Sequence, residues 1–282
     1  MTPADKLLAA EARGSFAREV ARPGGEIDLA RAALFAGQEE EPRACDVGRC
    51  LALLEEMGAA ARDRTGASAA PVEALNEYLF GELGFAGNES DYYDPRNSML
   101  HRVLGRRTGI PITLSLVYME VGRRAGLAVE GVGLPGHFIV RARAGGQEPV
   151  LVDPFNGRIV DREECQRRVD FIYGGEMTLS DEHLRPLGAR PILVRLLNNL
   201  KSIYTQAQLF RRALSVVERI LLVTPNDLGE RRDRGLLLAQ VGRLPEAIDE
   251  IQSYLNLATH APDADEVREQ LKKLRTRHSM LN

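Results

Sequence analysis

One stretch, TGIPITLSLVYMEVGRRAGL at residues 108–127, constrains this chain more than any other. Pro111 suits the first turn of a helix. From there Leu114, Val117, Tyr118, Val121 and Ala125 line one side, while Ile112, Leu116 and Met119 cover much of another. A helix apolar over most of its circumference has to be buried and central, so other elements must wrap it. Gly126 is placed to stop it. Three strand-like runs follow, at Val129–Leu134, His137–Ala142 and Pro149–Val152, with Gly145-Gly146 as a hairpin turn between the last two. A buried helix followed by an antiparallel sheet is an α+β core.

The rest of the chain has the means to cover such a core. It has 282 residues, 44% of them apolar and 27% charged, with 37 Lys and Arg against 40 Asp and Glu for a net charge of −3. That composition excludes disorder over most of the length. It contains no apolar run of about 18 residues or more, which excludes a helical membrane span. The first twenty residues break their apolar stretch with Glu11, Arg13 and Arg18 and carry no signal-peptide pattern. Cys45, Cys50 and Cys165 do not make a disulfide framework, and a reducing cytoplasm is the expected location. The C-x4-C pair has no nearby His. Cys50 shares an apolar register with Val47, Leu51 and Leu54, so core packing is its reading, and no metal or cofactor is expected.

Residues 1–105 read as helices joined by polar turns. Val47, Cys50, Leu51 and Leu54, then Val72, Leu75, Leu79 and Leu83, recur at helical spacing on either side of a polar loop at residues 62–71. The segment GFAGNESDYYDPRNS is too rich in Gly, Asn, Asp and Pro for a continuous helix, and too aromatic for a mere linker. Its Tyr92, Tyr93, Arg96 and Asn97 are candidate ligand contacts at a cleft mouth, set against ordinary turn and cap chemistry, capping being the main role for Asn97.

Residues 191–282 are helical again and carry an internal repeat. A shift of 34 aligns Phe210-Arg211-Arg212-Ala213 with Leu244-Pro245-Glu246-Ala247, Val217 with Ile251, Ile220 with Tyr254 and Leu221 with Leu255. That period, with a small Ala at the helix crossing, is the tetratricopeptide pattern. Two units do not bury their own faces, so we expect them to lean on the core through a helix at 191–209.

Chemistry points to His137, in LPGHFIV at the start of one strand, and Asp153, in LVDPFNG at the end of the next. Paired strands would bring them together as a base and its orienting carboxylate, or as a buried His satisfied by Asp. Taken with NEYLFGELGFAGNESDYYDPRNSMLHRVLGRRTGIPITLSLVYMEVGRRAGL and GVGLPGHFIVR, these motifs resemble the transglutaminase-like core of the bacterial SirB-type family, which carries C-terminal tetratricopeptide repeats. The resemblance spans roughly residues 76–161 and, more weakly, the repeats. It implies a papain/transglutaminase-like fold, a central helix plus a small antiparallel sheet, with His137 and Asp153 in the positions that assist a nucleophilic Cys. The family motif Gly-x-Cys falls here on Gly109, Ile110 and Pro111, so the Cys position holds a residue with no nucleophile. Cys165 lies after the sheet, where a helical surface is expected, and the hydroxyls nearest the motif are Thr113 and Ser115.

The domain reading is therefore 1–75 as an N-terminal helical layer, 76–190 as the core and 191–282 as repeats. The leading expectation for function is a non-catalytic, transglutaminase-like protein that binds protein or peptide partners through the repeat region. The alternative is an acyl-transfer or hydrolytic enzyme using His137 and Asp153 with Thr113, Ser115 or water. A weaker alternative is a nucleic-acid-binding regulator. Residues 39–95 hold 13 acidic and 4 basic residues, and 96–143 hold 8 basic and 2 acidic, so neighbouring zones that neutralise each other are favoured over a nucleic-acid footprint. Oligomeric state is open.

Overall fold

The structure is a computed structural model that describes residues 2–22 and 27–280. Its contacts divide into two units, residues 1–196 and 197–282. In chain order the first unit contains helices α1 (Pro3–Val20), α2 (Leu29–Glu40), α3 (Val47–Gly66) and α4 (Pro71–Asn76), the last running on as a π-helical stretch over Glu77–Glu82. Next come strand β1 (Ala86–Gly87), a 3₁₀ turn at Pro95–Ser98, α5 (Leu100–Arg106), β2 (Thr108–Gly109) and α6 (Pro111–Arg124). The sheet strands are β3 (Ala128–Val132), β4 (Ile139–Arg143), β5 (Val150–Asp153) and β6 (Arg158–Val160), followed by α7 (Arg162–Tyr173). Helix α8 (Ala189–Gln206) contains the division between units, and α9 (Phe210–Val223), α10 (Leu228–Gln240), α11 (Leu244–Leu257) and α12 (Ala264–Ser279) follow.

The central helix is α6. Every residue from Pro111 to Tyr118 is buried, as are Glu120, Val121 and Gly122. Gly126 takes φ +90°, a conformation that ends the helix without a Cβ penalty. The four-stranded antiparallel sheet runs β3-β4-β5-β6. Val140 sits opposite Val152 and Arg141 opposite Leu151. The three strands read from sequence are present within two residues of their expected bounds. A fourth, β6, was not anticipated: three residues after an Asn-Gly turn carry too short a pattern to read alone. The parallel pair β1–β2 is shorter still.

The acidic and basic zones do meet. Arg102 and His101 on α5 both reach Glu41, at 2.6 and 2.8 Å, and Arg124 on α6 reaches Glu55 on α3 at 2.7 Å. Within the loop, Asp94 receives Arg96 at 2.8 Å and Arg106 at 3.3 Å.

In the second unit, α9 to α12 form two helix pairs with the expected period. Ala213 and Ala247 occupy equivalent, fully buried positions. Gly235 lets α10 and α11 approach closely, since a Cβ there would lie 2.6 Å from Ile251 Cγ1. Among the described residues no helix is long and apolar enough to cross a membrane.

Candidate functional site

Two turns set the candidate pair. Leu134-Pro135-Gly136-His137 is a tight turn, with His137 N–H donating to Leu134 O at 3.2 Å and Gly136 at φ +67°. Pro pre-sets the second position and Gly alone takes the third without strain, which makes this a type II turn. It delivers His137 two residues ahead of β4. At the end of β5, Asp153 Oδ1 accepts from the backbone N–H groups of Phe155 and Asn156 at 3.0 and 3.4 Å, an Asx turn that fixes the carboxylate.

The register then brings the pair together. His137 Nε2 lies 3.0 Å from Asp153 Oδ2, and both residues are 3% exposed. Asn156 Nδ2 donates to the same oxygen at 2.7 Å. Burial lowers the His137 pKa, and the cationic Arg168 and Arg195 reinforce that against the pull of Asp153. Burial pushes the Asp153 carboxyl up, but the hydrogen bonds from His137 and Asn156 and the charge of Arg168 outweigh it, and its pKa falls. The pair is therefore a neutral imidazole beside a carboxylate. An ionised Asp only accepts, so Nε2 carries the ring proton and Nδ1 carries the lone pair. Phe155 stands edge-on to the imidazole, ring centres 6.3 Å apart, and edge-on to Tyr92 at 6.2 Å.

His137 and Asp153 line a cavity of about 340 Å³. Its other wall is α7, which contributes Cys165, Arg168, Phe171 and Ile172. Cys165 is buried, not on a helical surface as expected. It packs with Val169 against Val132, Leu134 and Ile139. The i, i+4 spacing of Cys165 and Val169, behind the Asp161–Glu164 capping box, was the signal that could have placed it. Burial and the nearby Asp153, Asp161 and Glu164 charges push its thiol up to about 11, so it stays protonated at neutral pH.

The hydroxyl candidates lie elsewhere, and neither lines this cavity. Thr113 Oγ1 accepts from Ile110 N–H at 3.1 Å and donates to Asn97 O at 2.7 Å, with Ile110 O at 3.1 Å. Ser115 is fully buried and its Oγ has no hydrogen-bond partner.

The loop residues are divided. Asn97 is fully buried, donating to Asp91 O at 2.7 Å and Tyr92 O at 3.3 Å while accepting from Asn88 at 3.1 Å, so it knits the loop together. The helix-cap role in the loop belongs to Asp94, which accepts from Arg96 N–H at 2.9 Å. Arg96 pairs with Asp94, Tyr93 is 64% exposed, and Tyr92 is the loop member whose ring reaches Phe155. Sequence reasoning missed Phe155, Asn156 and Arg168, which lie beside the pair in the fold.

Comparison with known proteins gives the family of the chain. The family model of the transglutaminase-like superfamily matches residues 49–198, and a tetratricopeptide repeat model matches residues 200–272. This chain belongs to the transglutaminase-like superfamily. A protein named UPF0162 protein from Xylella fastidiosa is 42% identical over 206 residues, covering 71% of this chain and 73% of that protein. Human F-box only protein 21 is 33% identical over 140 residues, 47% of this chain and 21% of that protein. A solved structure of menin aligns at 13% identity with a TM-score of 0.39, over 93% of this chain and 73% of that one. The α+β, transglutaminase-like core with C-terminal tetratricopeptide helices is thus the fold of this family member.

Proposed function

We propose that this protein is a non-catalytic member of its superfamily that acts in the cytoplasm by binding other proteins or peptides. One observation carries the reading: Pro111 opens the central helix where the family motif has its Cys. Thr113, two residues along, has its hydroxyl engaged with two backbone groups. Cys165, though it borders the His137–Asp153 cavity, is held as a neutral thiol. The His–Asp hydrogen bond then serves to lock two turns and shape a cavity wall. The tetratricopeptide helices support the interaction role, since such repeats present grooves to peptides. Incubation of the full chain with a panel of acyl esters, amides and glutamine-containing peptides is expected to show no turnover above buffer. Turnover that His137→Ala abolishes would overturn the proposal.

A second reading has its own support. The ordered His137–Asp153 pair, with a lone pair at Nδ1, borders a cavity and is suited to activating water. The same substrate panel decides between the two.

A further inference from the structure

The cavity beside His137 has two unlike halves. Leu134, Ile139, Val160 and Cys165 make a buried apolar wall. On the α7 side stand Arg167 and Arg168, with Phe171 91% exposed and Ile172 43% exposed at the rim. The charges do not cancel there. Arg158 is paired with Glu164 at 3.1 Å. The Asp153 carboxylate, which feels the charge of Arg168, takes its hydrogen bonds from His137, Asn156 and two backbone amides, so among the described residues Arg168 is left with no carboxylate hydrogen-bonded to it. Arg167 approaches Glu163 only at 3.9 Å, where both side chains are well exposed. Arg168 lies with its guanidinium 5.9 Å from the Phe155 ring centre, and its Nε is buried with no hydrogen-bond partner. Arg168 nevertheless lines the cavity, and the terminal nitrogens of a guanidinium match a planar carboxylate through two parallel hydrogen bonds.

We propose that this cavity binds the free carboxylate end of a partner protein whose last residue is apolar. The carboxylate meets Arg168, with Arg167 adding charge, and the terminal side chain lies against the apolar wall. Phe171 and Ile172 cover the residues just before it. The volume of about 340 Å³ is at the small end for ligand sites and suits one terminal residue. A chain end need only enter such a space, whereas an internal acidic residue has to bring two chain directions in and out. An inorganic phosphate would leave the apolar half unused. This assignment deepens the interaction reading above and rests on it.

The test uses the full chain and three fluorescent-tagged peptides: Ala-Ala-Leu with a free carboxylate, the same peptide as its C-terminal amide, and Ala-Glu-Ala as its amide. The free-acid peptide is expected to bind saturably, with both amides weaker by about tenfold or more. Arg168→Met keeps the aliphatic stem, and it should remove the preference for acid over amide. Arg168→Lys should keep part of that preference. Phe171→Ser, at an exposed position that leaves the core untouched, should weaken the acid and the Leu amide alike. Equal binding of acid and amide, preference for the internal Glu, no saturable binding, or an Arg168→Met variant with unchanged preference would each overturn the proposal. Mass spectrometry of the same mixtures separates it from the reading it rests on. Leucine released from the free-acid peptide alone would overturn the non-catalytic reading while supporting carboxylate recognition. Neither binding nor cleavage would overturn the carboxylate site alone.

Discussion

Thr113 and Ser115 are both buried hydroxyls on the central helix, yet their circumstances are opposite. Thr113 satisfies an N–H at the helix start and a carbonyl of the preceding loop, Ile110 N and Asn97 O. Thr113→Val keeps the volume and strands both groups, so unfolding stability should fall by about 1–3 kcal/mol, while Thr113→Ser should recover most of it. Ser115 Oγ contributes no hydrogen bond. Ser115→Ala should therefore be neutral or stabilising by up to about 1 kcal/mol. Urea unfolding at neutral pH measures both; equal effects at the two positions would refute the structural assignment. Pro111 and the His137–Asp153 pairing were legible in the sequence because helix-start chemistry and hairpin register are local rules. Arg168 was not, because its place beside Asp153 and Phe155 in the cavity wall is decided by tertiary packing, which sequence spacing does not show.

At the scale of elements, periodicity was the reliable guide wherever a face is buried along its whole length. The α6 stripe and the 34-residue repeat both appear where the pattern put them. It failed for elements of two or three residues, β1, β2 and β6, which exist because neighbours supply their hydrogen bonds. It also read Val72 to Leu83 as an α-helix, whereas the chain widens into a π-helical stretch after Asn76. Side-chain spacing of three and four residues does not distinguish the two over a single turn. Helix crossings are the complementary case: Ala213 and Ala247 were visible as small residues in register, but Gly235 was not singled out. Gly235→Ala gains about 1 kcal/mol of helix propensity. Its new Cβ nevertheless falls 2.6 Å from Ile251 Cγ1 and 3.3 Å from Ile251 N, so α10 and α11 have to separate. Overpacking costs about 1–3 kcal/mol, and the net change should be destabilising. Gly235→Val, which adds bulk without the propensity gain, should be worse. A lower urea midpoint in that order is the expected outcome, and a stabilised Gly235→Ala variant would show that the crossing is loose.

For the whole molecule, the near-zero charge of the chain conceals a specific arrangement of buried titrating groups, and their proton balance sets how it responds to acid. His101 and His137 are both buried, and burial lowers both pKa values below the ordinary 6.5, outweighing the carboxylates Glu41 and Asp153 beside them. The folded protein therefore binds fewer protons than the unfolded chain once the pH drops below about 6.5, and stability decreases with acidification until the folded-state values are passed. Asp94 and Asp153 have lowered values too. Their stabilisation is present above 3.8 and is lost as the pH falls through the depressed values, adding a second, more acidic decline. Glu230 acts oppositely: burial raises its carboxyl above 4.5 despite Lys201 at 2.5 Å, so it favours folding as the pH falls towards 4.5 and partly offsets the histidines there. The expected result is a urea midpoint that falls from about pH 7 to about pH 5, with the histidine-dependent part removed by the double variant His101→Gln, His137→Gln. That variant is less stable at neutral pH because two buried hydrogen-bonded rings are gone, but its midpoint should vary much less over this interval. A wild-type midpoint that rises on acidification, or a double variant with the same slope as wild type, would show that these two imidazoles do not control the acid response.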